Sequence, residues 1–145
     1  MERKDYVSND VAQLLKDKGY DVPCRSMYDS NTDEFKDDCC NEDWNHKNWC
    51  GKTIESFMSV PSLYEAQQWL REKHNILVIA ACTFYDYYGK VIGLKYYFNM
   101  DNISSERAYQ EDLDKCLQDG NKEPQFFNSY QEALNEGIKE ALKLI

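Results

Sequence analysis

The chain has 145 residues, 42% hydrophobic and 30% charged, a composition that folds by burial and is too apolar for a disordered tail. At this length roughly 68–70% of the unfolded surface is removed from water, so one domain around one core is expected. Twenty-six acidic against seventeen basic side chains leave a net charge of -9, which repels phosphate backbones and disfavours direct binding to DNA or RNA.

Ser8 is placed to cap a helix over 9–18, where Val11, Leu14 and Leu15 follow helical spacing and Gly19 supplies a left-handed stop. Val22-Pro23 enforces extended backbone, and Cys24 to Tyr28 reads as a strand. From Asp29 to Lys52 the composition turns to Asp, Asn, Glu and Lys, broken by Phe35, Trp44 and Trp49; this reads as an acidic loop or insertion at 29–52. Alternation returns over Thr53 to Met58, the pattern of a second strand.

Ser62-Leu63-Tyr64-Glu65 is a capping box, in which hydroxyl and carboxylate each accept from the other residue's amide. The helix it opens buries Leu63, Ala66 and Leu70, carries Trp69 on its flank, and ends near His74 with Asn75 in the left-handed position. Ile76 to Tyr85 and Val91 to Met100 form a hairpin. With Tyr87-Tyr88-Gly89 as its loop, Phe84 faces Ile92, Cys82 faces Leu94, Ala80 faces Tyr96 and Val78 faces Phe98, all on one side of the sheet. A helix over 104–118 follows, closed by Asp119-Gly120. Ser129 and Glu132 form a second capping box before a stripe of Tyr130, Ala133, Leu134, Gly137, Ile138, Ala141, Leu142 and Ile145. Gly137 inside that stripe predicts close approach to the sheet.

Chemistry-bearing groups are few. Cys39, Cys40, His46 and Cys50 fall close together and are of the types zinc prefers, although no Cys-x-x-Cys pair is among them. Asp29, Asn31 and Asp33 imitate the opening of a calcium loop, but Glu34 stands where the sharp turn needs glycine and Cys40 where a bidentate Glu is needed. The chain has two histidines, and His74 at a helix C-terminus is accounted for by the macrodipole. No catalytic residue is assigned, since no phosphate loop, nucleophile elbow or metalloprotease motif is present.

Eleven tyrosines, three tryptophans and six phenylalanines are many for this length. The hairpin register turns Tyr85, Tyr87 and Tyr97 outward, and Trp44 and Trp49 lie in the acidic loop. Exposed aromatics beside charge suit protein recognition, and these five are the candidate partner-binding residues. Met1 to Asp10 holds no apolar stretch of a secretory signal, and Ile76 to Cys82 is far short of the ~20 residues that span a bilayer. A cytoplasmic location without a membrane anchor is expected, with the six cysteines kept as thiols.

Three blocks carry a family resemblance. They are Asp5-Tyr6-Val7-Ser8 through Pro23-Cys24, Ala66 through Ile76 around Trp69-Leu70-Arg71-Glu72, and Ser129 through Ile145. Together they cover about half the chain, which resembles small uncharacterised proteins of Bacteroidales genomes found in phage or prophage neighbourhoods. The resemblance implies a shared fold and a phage or mobile-element origin, and it transfers no catalytic residue.

The expected fold class is α+β: one mainly antiparallel sheet of about four strands, with the helices beginning at Ser62 and Ser129 packed on one face and the N-terminal helix closing an end. The expected function is that of a small non-enzymatic accessory protein working through a protein partner or self-association. The alternatives are a zinc module built on Cys39, Cys40, His46 and Cys50, and an enzyme acting on a small molecule in a pocket.

Overall fold

A computed structural model describes the backbone of residues 1–87, 90–102 and 126–145, and their side chains outside 83–94 and residue 102. The helix expected over 104–118 lies outside the described residues. Those described form helices α1 (Asn9–Asp17), α2 (Leu63–His74) and α3 (Tyr130–Leu142). The strands are β1 (Met27–Asp29), β2 (Glu34–Lys36), β3 (Asn48–Trp49), β4 (Lys52–Thr53), β5 (Phe57–Ser59), β6 (Ile76–Tyr87) and β7 (Lys90–Asn102). Every strand pairing among the described residues is antiparallel, and the fold class is α+β.

The strands do not share one sheet. β2, β1 and β5 form a three-stranded sheet in that order, β3 pairs with β4, and β6 pairs with β7. Thr53 to Met58 is not one strand but two short ones, because Phe57 N–H bonds Ile54 C=O and folds a turn between β4 and β5. The segment 29–52 also carries structure: β2 completes the first sheet, a 3₁₀ turn spans Trp44–His46, and β3, its turn and the first residue of β4 follow. Asn31 N–H donates to Asp29 Oδ1 at 3.0 Å, which shapes the turn from β1 to β2.

The β6–β7 hairpin keeps the expected face but shifts its pairing by two residues. Val78 faces Met100, Ala80 faces Phe98 and Cys82 faces Tyr96, while Tyr87 pairs with Lys90 beside the turn. Asp86 pairs with Val91, which breaks parity, and an irregularity between Phe84 and Asp86 restores it. A tighter turn and a bulge thus cancel in parity and add in register.

Helix α2 starts as its capping box requires, with Glu65 N–H on Ser62 Oγ and Ser62 N–H on Glu65 Oε2 at 2.7 Å. It ends with Asn75 at φ 56°, the left-handed stop. The other two caps differ from expectation. Ser129 Oγ accepts from Glu132 N–H at 3.1 Å, but the Glu132 carboxylate accepts from Asn128 N–H, so the box is not reciprocal. Ser8 holds the N-cap position of α1, but its hydroxyl accepts from no backbone amide of the helix. Its hydroxyl turns to the Asp10 carboxylate and accepts from Asn135 Nδ2 at 2.9 Å, while Asn135 Oδ1 accepts Ser8 N–H at 3.0 Å.

One large cluster joins the layers: Val11 and Leu15 of α1, Leu63, Ala66, Trp69 and Leu70 of α2, Val78 of β6, and Leu134, Ile138 and Leu142 of α3. Trp69 is buried in it rather than on the flank, with its ring centroid 5.4 Å from that of Tyr20 and 4.6 Å from that of His74. α2 and α3 both pack on the hairpin, where Ile76 and Val78 are buried and the intervening Leu77 is not. Tyr130, the first residue of the expected stripe, is 45% exposed because it precedes the turn that reaches the sheet.

Candidate functional site

The sequence-derived zinc ligands are dispersed in role. Cys39 packs against a small cluster of Cys24, Met27 and Trp44, Cys40 and Cys50 are exposed, and His46 Nδ1 lies 2.7 Å from Asp43 Oδ2. Among the described residues no group of three or more His, Cys, Asp or Glu is placed to hold a metal ion. The five cysteines described are free thiols, and burial pushes the Cys24 thiol pKa up.

The aromatic candidates separate. Trp49 is 73% exposed and Tyr97 is half-buried, whereas the side chains of Tyr85 and Tyr87 lie outside the described residues. Trp44 is buried, contrary to expectation. Its indole N–H donates to Cys24 C=O at 2.9 Å, Phe57 meets its ring edge-on at 6.0 Å, and Lys47 Nζ lies 5.8 Å from the ring centroid. The polar composition around it hid a core position.

A different surface brings groups together where α2 and α3 begin. A cleft of about 380 Å³ is floored by Leu63 and Leu134 and flanked by Met1, Tyr64 and Tyr130, with Asp5, Gln67 and Gln131 as its polar lining. Tyr64 is 65% exposed, so both tyrosines present area at the rim. Ser129 and Ser62 position these side chains by fixing where each helix starts. Asp5 is held from two sides, by Glu2 N–H at 2.9 Å and by Gln131 Nε2 at 3.5 Å.

A second cleft of about 480 Å³ shares Met1 and Ser62 with the first and is lined by Tyr6, Arg25, Asp37, Asp38 and Glu65. Arg25 is committed to Asp38 at 2.8 Å, and Glu65 to the α2 cap. Three carboxylates against one guanidinium make this cleft acidic. Burial, with Asp37 and Glu65 nearby, pushes the Tyr6 phenol upward, so it stays protonated at neutral pH. The wall is built by the N-terminal segment: Tyr6 bridges Ser62, Arg3 stacks 4.5 Å over Phe35, and Val7 N–H bonds Pro61 C=O.

Neither cleft is lined by His or Cys, and together they set an apolar patch beside an acidic one. Sequence reading missed this site because Tyr64 and Tyr130 looked like ordinary helix-start residues. Comparison with known protein families, curated proteins and solved structures finds no match to this chain. Among the described residues no helix is long and apolar enough to cross a membrane.

Proposed function

We propose that this is a non-enzymatic accessory protein of phage or mobile-element origin that acts inside the cell by binding a segment of another protein. The observation that carries the reading is the junction of the two clefts. The first offers Leu63, Leu134 and two rim tyrosines, and the second offers Asp37, Asp38 and Glu65 within the same continuous surface around Met1 and Ser62. Aromatic rims over apolar floors bury large area at small entropic cost, and the flanking charge selects the partner's sign. The occupant fitted by this chemistry is a peptide segment carrying apolar side chains next to Lys or Arg. The net charge of -9 favours the same partner sign, and the resemblance of three sequence blocks to phage-neighbourhood proteins supports the setting.

Selection from a random peptide library on the immobilised protein tests this. Enriched sequences are expected to join Lys or Arg to bulky apolar residues and to lose at least ~10-fold in affinity on Tyr64→Ala with Tyr130→Ala, a loss of ~1.4 kcal/mol. Enrichment without that pattern, or binding indifferent to both tyrosines, overturns the assignment.

A further inference from the structure

Strand β6 has a second edge, and the backbone directions on it are fixed by two contacts. Tyr96 of β7 exchanges both backbone hydrogen bonds with Phe127, at 2.8 and 3.2 Å, on the side away from β6. Paired residues of an antiparallel ladder alternate between those that bond each other and those whose N–H and C=O point outward. Cys82, opposite Tyr96, therefore points its backbone groups away from β7, and Ala80 and Val78 follow in step. Consistently, Val78 C=O is taken on that side by the Gln67 side-chain amide.

Beyond Gln67 no described residue pairs with this edge. Among the described residues the outward N–H and C=O of Ala80 and Cys82 have no hydrogen-bond partner. Cys82 is exposed and Ile79 is 39% exposed, so solvent reaches both flanks of this stretch. The usual protections of an edge are Lys, Pro or an inward charge. None stands between Ile76 and Tyr85, which reads Ile-Leu-Val-Ile-Ala-Ala-Cys-Thr-Phe-Tyr.

We propose that this edge is a self-association surface: β6 of a second copy pairs antiparallel with it across a two-fold axis, joining two hairpins into one continuous sheet. The occupant follows from charge and symmetry. A chain of net charge -9 repels its own copy over most of its surface, but the uncharged stretch from Ile76 to Tyr85 does not. An isologous antiparallel contact also matches each outward donor with an acceptor from the same residues, leaving none over. With Ala81 on the axis, Ala80 of each copy faces Cys82 of the other, and these small side chains let the strands approach to ladder distance.

Light scattering coupled to size exclusion, with hydrogen exchange, tests the proposal on the full chain. The wild type is expected at twice the 17.1 kDa chain mass at high concentration, dissociating on dilution. The amides of Ala80 and Cys82 are expected to exchange roughly tenfold or more slowly in the dimer than in the diluted monomer. Ala80→Pro removes an outward N–H, and Cys82→Lys places a charge at an exposed edge position; each is expected to run at the single-chain mass with its circular dichroism unchanged. If Ala80→Pro misfolds, Cys82→Lys alone decides. A wild type monomeric at every concentration overturns the proposal, as does a dimer in which these two amides still exchange fast, or protection seen only with a strand from a different protein.

Discussion

Gly137 of α3 stands directly over Val78 of β6: a methyl group in place of its hydrogen would lie 2.7 Å from Val78 Cγ1 and 3.0 Å from Phe98 Cβ. Val78 is fully buried and has little room to yield. Alanine would gain up to ~1 kcal/mol of helix propensity but overpack the contact at a cost of ~1–3 kcal/mol. Gly137→Ala is expected to be destabilising by ~1 kcal/mol and Gly137→Val by clearly more, read as a falling urea midpoint with unchanged slope. A stabilised alanine variant would show that helix and hairpin can separate freely.

The Asp10 carboxyl is held down from its ordinary 3.8 to about 2 by the Lys139 ammonium at 2.8 Å, then by the Ser8 hydroxyl. A depressed carboxyl contributes stability above its unfolded pKa and loses it as pH falls through its folded value. That contribution is present at neutral pH and disappears between about pH 4 and pH 2. Because Asp10 is about half exposed, it is worth ~1 kcal/mol or less. Unfolding free energies measured across this window should fall less steeply in Asp10→Asn than in the wild type.

Trp44 and Trp49 are expected to diverge sharply. Trp44→Ala empties a buried site and removes the indole donor to Cys24 C=O, which keeps only Glu42 N–H, at a cost of ~3–5 kcal/mol. Trp49→Ala, at a 73% exposed position, should stay within ~0.5 kcal/mol of the wild type. Thermal unfolding of the two variants side by side reads the difference.

Asn45 is a buried clamp: its Nδ2 donates to Tyr20 C=O and its Oδ1 accepts Ser59 N–H, both at 2.9 Å. Asn45→Asp removes the donor and brings a charge into the same space, so a loss of at least ~2 kcal/mol is expected at neutral pH, smaller under acid where the carboxyl is protonated. A pH-independent loss would place the damage elsewhere.

The two kinds of residue also mark what could be read in advance. Ser62, Glu65, Asn75 and Gly137 act through bonds to close neighbours or through their own lack of a side chain, so their roles were legible in the sequence. Trp44 and Asn45 act through Cys24, Tyr20 and Ser59, partners that only the folded chain brings near. The hairpin was intermediate. Its face followed from side-chain parity, but its register depended on a bulge that parity conceals, and strand order depended on pairings that no periodicity encodes. The candidate contact site was illegible for a related reason: Tyr64 and Tyr130 lie on different helices and meet at one cleft only after packing.

Ser8 and Asn135 exchange two hydrogen bonds across 127 positions of chain. Among the described helices, the earliest in sequence is therefore fastened to the latest. α1 can settle early on β5 and α2, with which it shares the core cluster, but its N-terminus is fastened only once α3 is present. Such long-range closure slows folding and lengthens the interval in which a chaperone can engage that helix.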